Sequence, residues 1–157
     1  MGIAPAANVG FAVRYCGDTS ADVMAEAIAA ALTTLKYGDI LLIDDQYAID
    51  LTGDGSTFVV PIELHPVVQS NLGTILAQGV IFIEPAGNGS LNLDPLLPIT
   101  DAITVGGINA GSMTRVDIEY MSNYGDRVVC HARYGGIVTP GGWATKSRTA
   151  RSRDRAR

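Results

Sequence analysis

The strongest constraint in the chain is a run of four apolar residues, Val80-Ile81-Phe82-Ile83, that breaks at once into Glu84-Pro85-Ala86-Gly87-Asn88-Gly89-Ser90. A short apolar run bounded by Gly79 on one side and a Pro/Gly-rich turn on the other reads as a buried strand ending in a tight loop. Small residues in such a loop let backbone approach closely, and Asn88 presents a side-chain amide at the carboxyl end of the strand. In an open α/β sheet, ligands bind outside those ends. Asn88 is therefore the first candidate for chemistry.

The stretches on either side repeat the pattern. Asn8 to Tyr15 reads as a strand, with Val9, Phe11 and Val13 apolar. Asp18-Thr19-Ser20 offers caps for a helix from Ala21 to Lys36. Its apolar residues, among them Met24, Ile28, Leu32 and Leu35, recur at spacings that make one face apolar. Ile40 to Ile43 is the continuous run expected of a strand buried on both faces of a parallel sheet. A polar segment follows from Asp44 to about Ser56. A second helix is expected between Glu63 and Gln78, with Pro66 in its first turn and Gly79 closing it. Ala102 to Gly106 and Arg127 to Cys130 read as further strands. This alternation is the signature of βαβ units, so the fold class is α/β, a parallel sheet flanked by helices.

A length of 157 residues suits one domain. The net charge of −5 conceals an asymmetry. Residues 1–145 carry 5 basic against 15 acidic side chains, whereas residues 146–157 carry 6 basic and 1 acidic. The acidic body argues against a nucleic-acid partner, and residues 146–157 read as a solvated basic tail. No apolar run reaches the about 18–20 residues that span a bilayer, and the N-terminus shows no signal-peptide pattern, so no membrane partner is expected.

Individual residues carry less. Cys16 and Cys130 fit no metal motif; a disulfide and two separate buried thiols both remain open. Asp44, Asp45, Asp50 and Asp54 lack the spacing and closing Glu of a calcium loop and read as a solvated acidic loop. His65, beside Pro66, reads as a surface or capping residue, and His131 as structural. Ser122-Asn123-Tyr124-Gly125 reads as a turn with Tyr124 as its packing anchor. Asn88-Gly89-Ser90 matches a glycosylation sequon. There is no phosphate-binding loop, dinucleotide fingerprint or paired-Cys zinc motif, so no metal and no cofactor is expected.

Five segments then occur in a telling order: Gly2-Ile3-Ala4-Pro5-Ala6-Ala7, Gly38-Asp39-Ile40-Leu41-Leu42-Ile43, Gly79-Val80-Ile81-Phe82, Pro85-Ala86-Gly87-Asn88-Gly89 and Ser122-Asn123-Tyr124-Gly125. Together they resemble the central part of the catalytic domain of the subtilisin-like serine proteases, the subtilases, over residues 2–140. The resemblance implies a subtilisin-like parallel sheet, truncated at both ends, with residues 1–145 a partial peptidase domain. It implies that Asn88 is the oxyanion-hole donor, a role whose loss in subtilisin costs about 10²–10³ in turnover. It also makes Asp45, Gln46, Pro85, Ala86 and Gly87 candidates for contact with a peptide or protein substrate.

The family's triad runs Asp, His, Ser along the chain. Its Asp and His motifs precede the Gly-Ile-Ala-Pro segment, and its Ser lies in a Gly-Thr-Ser motif that this sequence lacks. Where that motif is expected, the chain runs into Gly142-Trp143-Ala144 and the basic tail, the pattern of a changed reading frame. Two functional expectations follow. One is a serine endopeptidase domain fragment without turnover of its own; the other is a non-catalytic, peptide-binding subtilase-like module. Oligomeric state and localisation stay open, although full-length relatives are often secreted.

Overall fold

Strand runs alternate with helix-period stretches in the computed structural model, which describes residues 6–12, 15–16, 21–96, 100–109 and 122–134. The first elements are β1 (Tyr15–Cys16), β2 (Ala21–Asp22), α1 (Met24–Thr34), β3 (Ile40–Leu42), β4 (Gln46–Ile49) and β5 (Phe58–Pro61). A 3-10 turn (Ile62–Leu64), α2 (Pro66–Ala77), β6 (Ile81–Pro85), β7 (Ile103–Asn109) and β8 (Cys130–Tyr134) follow. Strands β3, β6, β7 and β8 lie side by side in that order, all parallel, with α2 in the connection from β3 to β6. Parallel neighbours need such a crossover, and the apolar stripe of α2 supplies its contact with the sheet.

Helix α1 buries Met24 and Ile28, and α2 buries Val68, Leu72 and Ile75. Both stripes close over one core that also holds Ile62, Val80, Phe82 and Ala102. The start of α2 has a local cause. Proline has no N–H to contribute and pushes the preceding residue out of the helical region. His65 is accordingly extended, its Nδ1 accepts from the Val67 N–H at 3.3 Å, and Pro66 takes the first helical position. His65 is the capping residue read from the sequence.

Several boundaries differ from expectation. The strand expected from Asn8 to Tyr15 is not formed over residues 8–12, where Val9 and Phe11 are exposed and no neighbour among the described residues pairs with them; Val13 and Arg14 lie outside the described residues. Helix α1 begins at Met24 rather than Ala21, since Ala21 and Asp22 pair antiparallel with β1. Its N-cap, Val23, makes no side-chain cap, and Asp18-Thr19-Ser20 lie outside the described residues. Helix α2 begins at Pro66 rather than Glu63, with the 3-10 turn before it. The polar segment expected from Asp44 to about Ser56 holds strand β4, which pairs antiparallel with β5 just beyond it, registered from Gln46↔Pro61 to Ile49↔Phe58. Strand β8 starts at Cys130, not Arg127. Cys130 is an exposed free thiol, which removes the buried-thiol reading for that residue. The side chain of Cys16 and the tail 146–157 lie outside the described residues.

Both helices sit on one face of the sheet. Residues paired in a parallel ladder share a face, so Ile40 with Ile81, Leu42 with Ile83 and Ile103, and Pro85 with Val105 and Cys130 form the other. On that side Ile40, Leu42 and Ile81 are 57%, 61% and 40% exposed. The run Ile40 to Ile43 is therefore covered on one face only among the described residues. Four strands about 4.8 Å apart and about five residues long make an open apolar surface of about 300 Å². Such a surface attracts hydrophobic probes and other chains. The chain is expected to enhance the fluorescence of a hydrophobic dye strongly, and Ile40→Lys with Leu42→Glu should reduce that signal severalfold without loss of helical circular dichroism. A monomeric, cooperatively melting wild type that leaves the dye dark would refute the open face.

Candidate functional site

Strand β6 runs into the Asn88 loop, and one buried side chain holds that loop. Asn123 is fully buried. Its Nδ2 donates to Val59 O at 2.8 Å and to Ala86 O at 2.7 Å, and its Oδ1 accepts from the Leu91 N–H at 2.8 Å. Its own N–H donates to Gly87 O at 2.9 Å. Both flanks of Asn88 are thus gripped, and the loop is tied to β5. Only a carboxamide combines two N–H donors with a carbonyl acceptor in this way. The glycines follow from the grip. Gly87 has φ +86°, and a Cβ there would lie 2.9 Å from Asn123 Nδ2; one on Gly89 would collide with Val59 O. Asn88 itself points out. It is exposed, and its amide makes no hydrogen bond among the described residues.

The Asn88 amide overlooks a groove of about 450 Å³ at the carboxyl ends of the sheet strands. Leu42, Ile83, Pro85 and Val105 form its apolar floor, and Ser122 and Arg133 line it together with Asn88. A smaller cleft of about 240 Å³ adjoins it, lined by Asp44, Asp45, Gln46, Pro85 and Asn88. The structure therefore brings Asp45, Gln46, Pro85 and Asn88 to one place. Ala86 and Gly87 line the larger groove but are themselves buried. Asp45 Oδ1 accepts from the Gln46 N–H at 2.8 Å, which orients that carboxylate. Neither His65 nor His131 lines either space.

Two site residues escaped the sequence reading. Ser122 is buried, accepts from the Gly107 N–H at 3.0 Å and donates to Asn123 O at 3.1 Å, coupling β7 to the residue that holds the Asn88 loop. Asn123, not Tyr124, anchors the 122–125 turn: Tyr124 is 41% exposed. An aromatic anchor is the usual expectation for such a turn, but here the apolar core ends before Tyr124 and the unmet need is for hydrogen bonds.

A second polar concentration lies inside the fold. Glu63, Glu84, Thr104 and Arg127 are all nearly inaccessible. Arg127 Nη2 pairs with Glu63 Oε1 at 2.7 Å and donates to Thr100 Oγ1 at 2.7 Å, while Nη1 donates to Ala102 O at 3.0 Å. Glu84 Oε2 accepts the Glu63 N–H at 2.9 Å. Burial pushes the Glu84 carboxyl up to about 9; the neighbouring Glu63 carboxylate acts in the same direction and Arg127 weakly against it. Glu84 is thus neutral at physiological pH. The acidic loop behaves oppositely. Asp50, fully solvated, is lowered by hydrogen bonds from the Gly55 and Gly53 N–H groups, and Asp54 is held at about 2 chiefly by the Thr52 hydroxyl.

Set against family models, curated proteins and solved structures, the chain matches none. The site rests on its own geometry.

Two outcomes follow. Between its ordinary 4.5 and about 9, folded Glu84 keeps a proton that the unfolded chain releases. Stability contributed by that site therefore falls as pH rises across this window, by about 1.4 kcal/mol per pH unit, and is flat below it. Urea titrations from about pH 5 to about pH 8 should show this slope in the wild type and its loss in Glu84→Gln, which needs no proton to stay neutral. An unchanged slope in the variant would assign the titration elsewhere. For the loop, Asn123→Ala should cost about 2 kcal/mol or more, because buried donors and acceptors lose their partners. Asn88→Ala should stay within about 0.5 kcal/mol of wild type. Equal costs for the two would overturn the division between a holding residue and a presenting one.

Proposed function

We propose that residues 1–145 are the central part of a subtilisin-like serine endopeptidase domain, with Asn88 as its oxyanion-hole donor. One observation carries this reading: an exposed amide with no partner among the described residues, carried beside a groove on a loop whose backbone is held at the carboxyl end of β6. A donor fixed in advance needs no reorganisation when negative charge develops on a carbonyl oxygen, so it stabilises a tetrahedral intermediate more than a planar carbonyl. Asp45, Gln46 and Pro85 then border the substrate, while Ala86 and Gly87 shape the wall beneath it.

The sequence holds no Gly-Thr-Ser, and the resemblance finds no counterpart in it for the triad Asp and His. Loss of the complete triad costs subtilisin about 2 × 10⁶ in turnover, so this chain alone is expected to bind peptides and cleave none. The same cleft supports the second reading, a non-catalytic peptide-binding module, because Asp44–Gln46 and Pro85–Asn88 meet without any triad residue.

The test uses the isotope-labelled chain and a mixture of unstructured peptides, followed by nuclear magnetic resonance. The Asn88 side-chain amide signals should move on addition of peptide, Asn88→Ala should weaken binding about tenfold, as expected for loss of one hydrogen bond, and no fragments should form. Unmoved Asn88 signals together with wild-type affinity in the Ala variant would overturn the donor role. Cleavage by the purified chain would overturn the absence of a working triad.

A further inference from the structure

We infer that Asn88-Gly89 is a site of spontaneous covalent modification, at which the Gly89 backbone nitrogen closes on the Asn88 side-chain amide and Asn88 becomes aspartate or isoaspartate. The modification stands on geometry alone. Its functional consequence rests on the donor role proposed for Asn88.

Ring closure needs an accessible side-chain amide, a backbone nitrogen one residue on that is not engaged in a hydrogen bond, and no side chain on that next residue to screen it. Asn88 meets all three conditions. Its amide is exposed and makes no hydrogen bond among the described residues. The Gly89 N–H likewise donates to nothing among them. Gly89 has no Cβ to screen the nitrogen.

The other asparagines lack this combination. Of the six in the sequence, Asn88 is the only one followed by glycine. Asn71 sits in α2 with its Nδ2 donating to Val67 O at 2.8 Å and is followed by Leu72. Asn92 Oδ1 accepts from the Asp94 N–H at 3.1 Å and is followed by Leu93. Asn123 is buried with every polar side-chain atom engaged.

The chemistry balances without an oxidant or cofactor. Base removes the Gly89 N–H proton, the nitrogen attacks Asn88 Cγ and a C–N bond forms; the protonated base or water then returns a proton to the side-chain nitrogen, whose bond to Cγ breaks as it leaves as ammonia. Water then opens the resulting five-membered imide. Cleavage at the side-chain carbonyl yields aspartate; cleavage at the main-chain carbonyl yields isoaspartate, with the chain rerouted through Cβ. Either product carries a carboxylate that is ionised at neutral pH. It joins Asp44 and Asp45 in the same cleft, so a neutral donor is replaced by an acceptor beside two like charges. Ageing of this kind disables the site without unfolding it.

The folded chain is held at 37 °C in mildly alkaline buffer beside a sample in urea, and both are followed by ion exchange, ammonia release and peptide mapping. The expected result is an acidic form of the folded chain that maps to residue 88, accumulates within an order of magnitude of the rate in urea, and is missing in Asn88→Gln. Asn88 left intact in the folded chain while the urea sample converts would overturn the inference. So would equal acidification of Asn88→Gln, which would place the reaction at another residue. If the modified chain forms as expected but responds to peptide as the fresh chain does, the modification stands and the donor role fails.

Discussion

One short turn, Asn123 to Arg127, reaches back to one short segment, Val59 to Glu63, and most of the structure hangs on that contact. Asn123 Nδ2 donates to Val59 O, and Arg127 Nη2 pairs with Glu63, each across 64 residues of chain. The first bond fixes the loop after β6. The second draws together the 3-10 turn, the lead-in to β7 and the lead-in to β8. Strand β8 begins only at Cys130 because the backbone just before it is committed elsewhere: the Arg127 N–H donates to Asp94 Oδ1 and the Val128 N–H to Gly125 O.

The inward pair is costly to assemble. Desolvating a guanidinium and a carboxylate offsets much of their attraction, and the balance depends on every remaining polar atom finding a partner. Thr100 and the Ala102 carbonyl take up the two terminal guanidinium nitrogens and the Glu63 N–H is received by Glu84, while Arg127 Nε is buried without a partner among the described residues, a cost the pair carries. Glu84 could not accept a further charge in the same space, so burial and Glu63 keep it protonated. One ionised pair and one neutral acid are the arrangement this interior tolerates.

The outer side of the sheet poses the complementary problem. Strand β3 and the first half of β6 are apolar on both faces, yet the helices described cover only one. The groove beside Asn88 opens over the uncovered face, so a polar donor and an apolar floor meet at the carboxyl ends of β3, β6 and β7. A ligand with a carbonyl and an apolar side chain would match that combination, which is the chemistry behind the peptide ligand we propose.

Both helices, the parallel strands and the presentation of Asn88 were legible in the sequence, because each depends on residues close together in the chain. Periodicity located α1 and α2 to within a few residues, and Pro66 with His65 marked a helix start through purely local backbone geometry. The Gly-Asn-Gly turn followed from the conformations glycine permits. What remained hidden depends on distant partners. The β4–β5 hairpin pairs residues whose sequence is mostly polar between the strands, Asn123 looks like any turn residue until Val59, Ala86 and Leu91 surround it, and Glu63, Glu84 and Arg127 look like surface charges. Local sequence determines which segments become helix or strand and which turn can expose an amide. Only the tertiary structure decides which face of the sheet is covered, which asparagine holds and which presents, and which carboxyl loses its charge, because those outcomes are set by desolvation and hydrogen bonding between groups far apart in the chain.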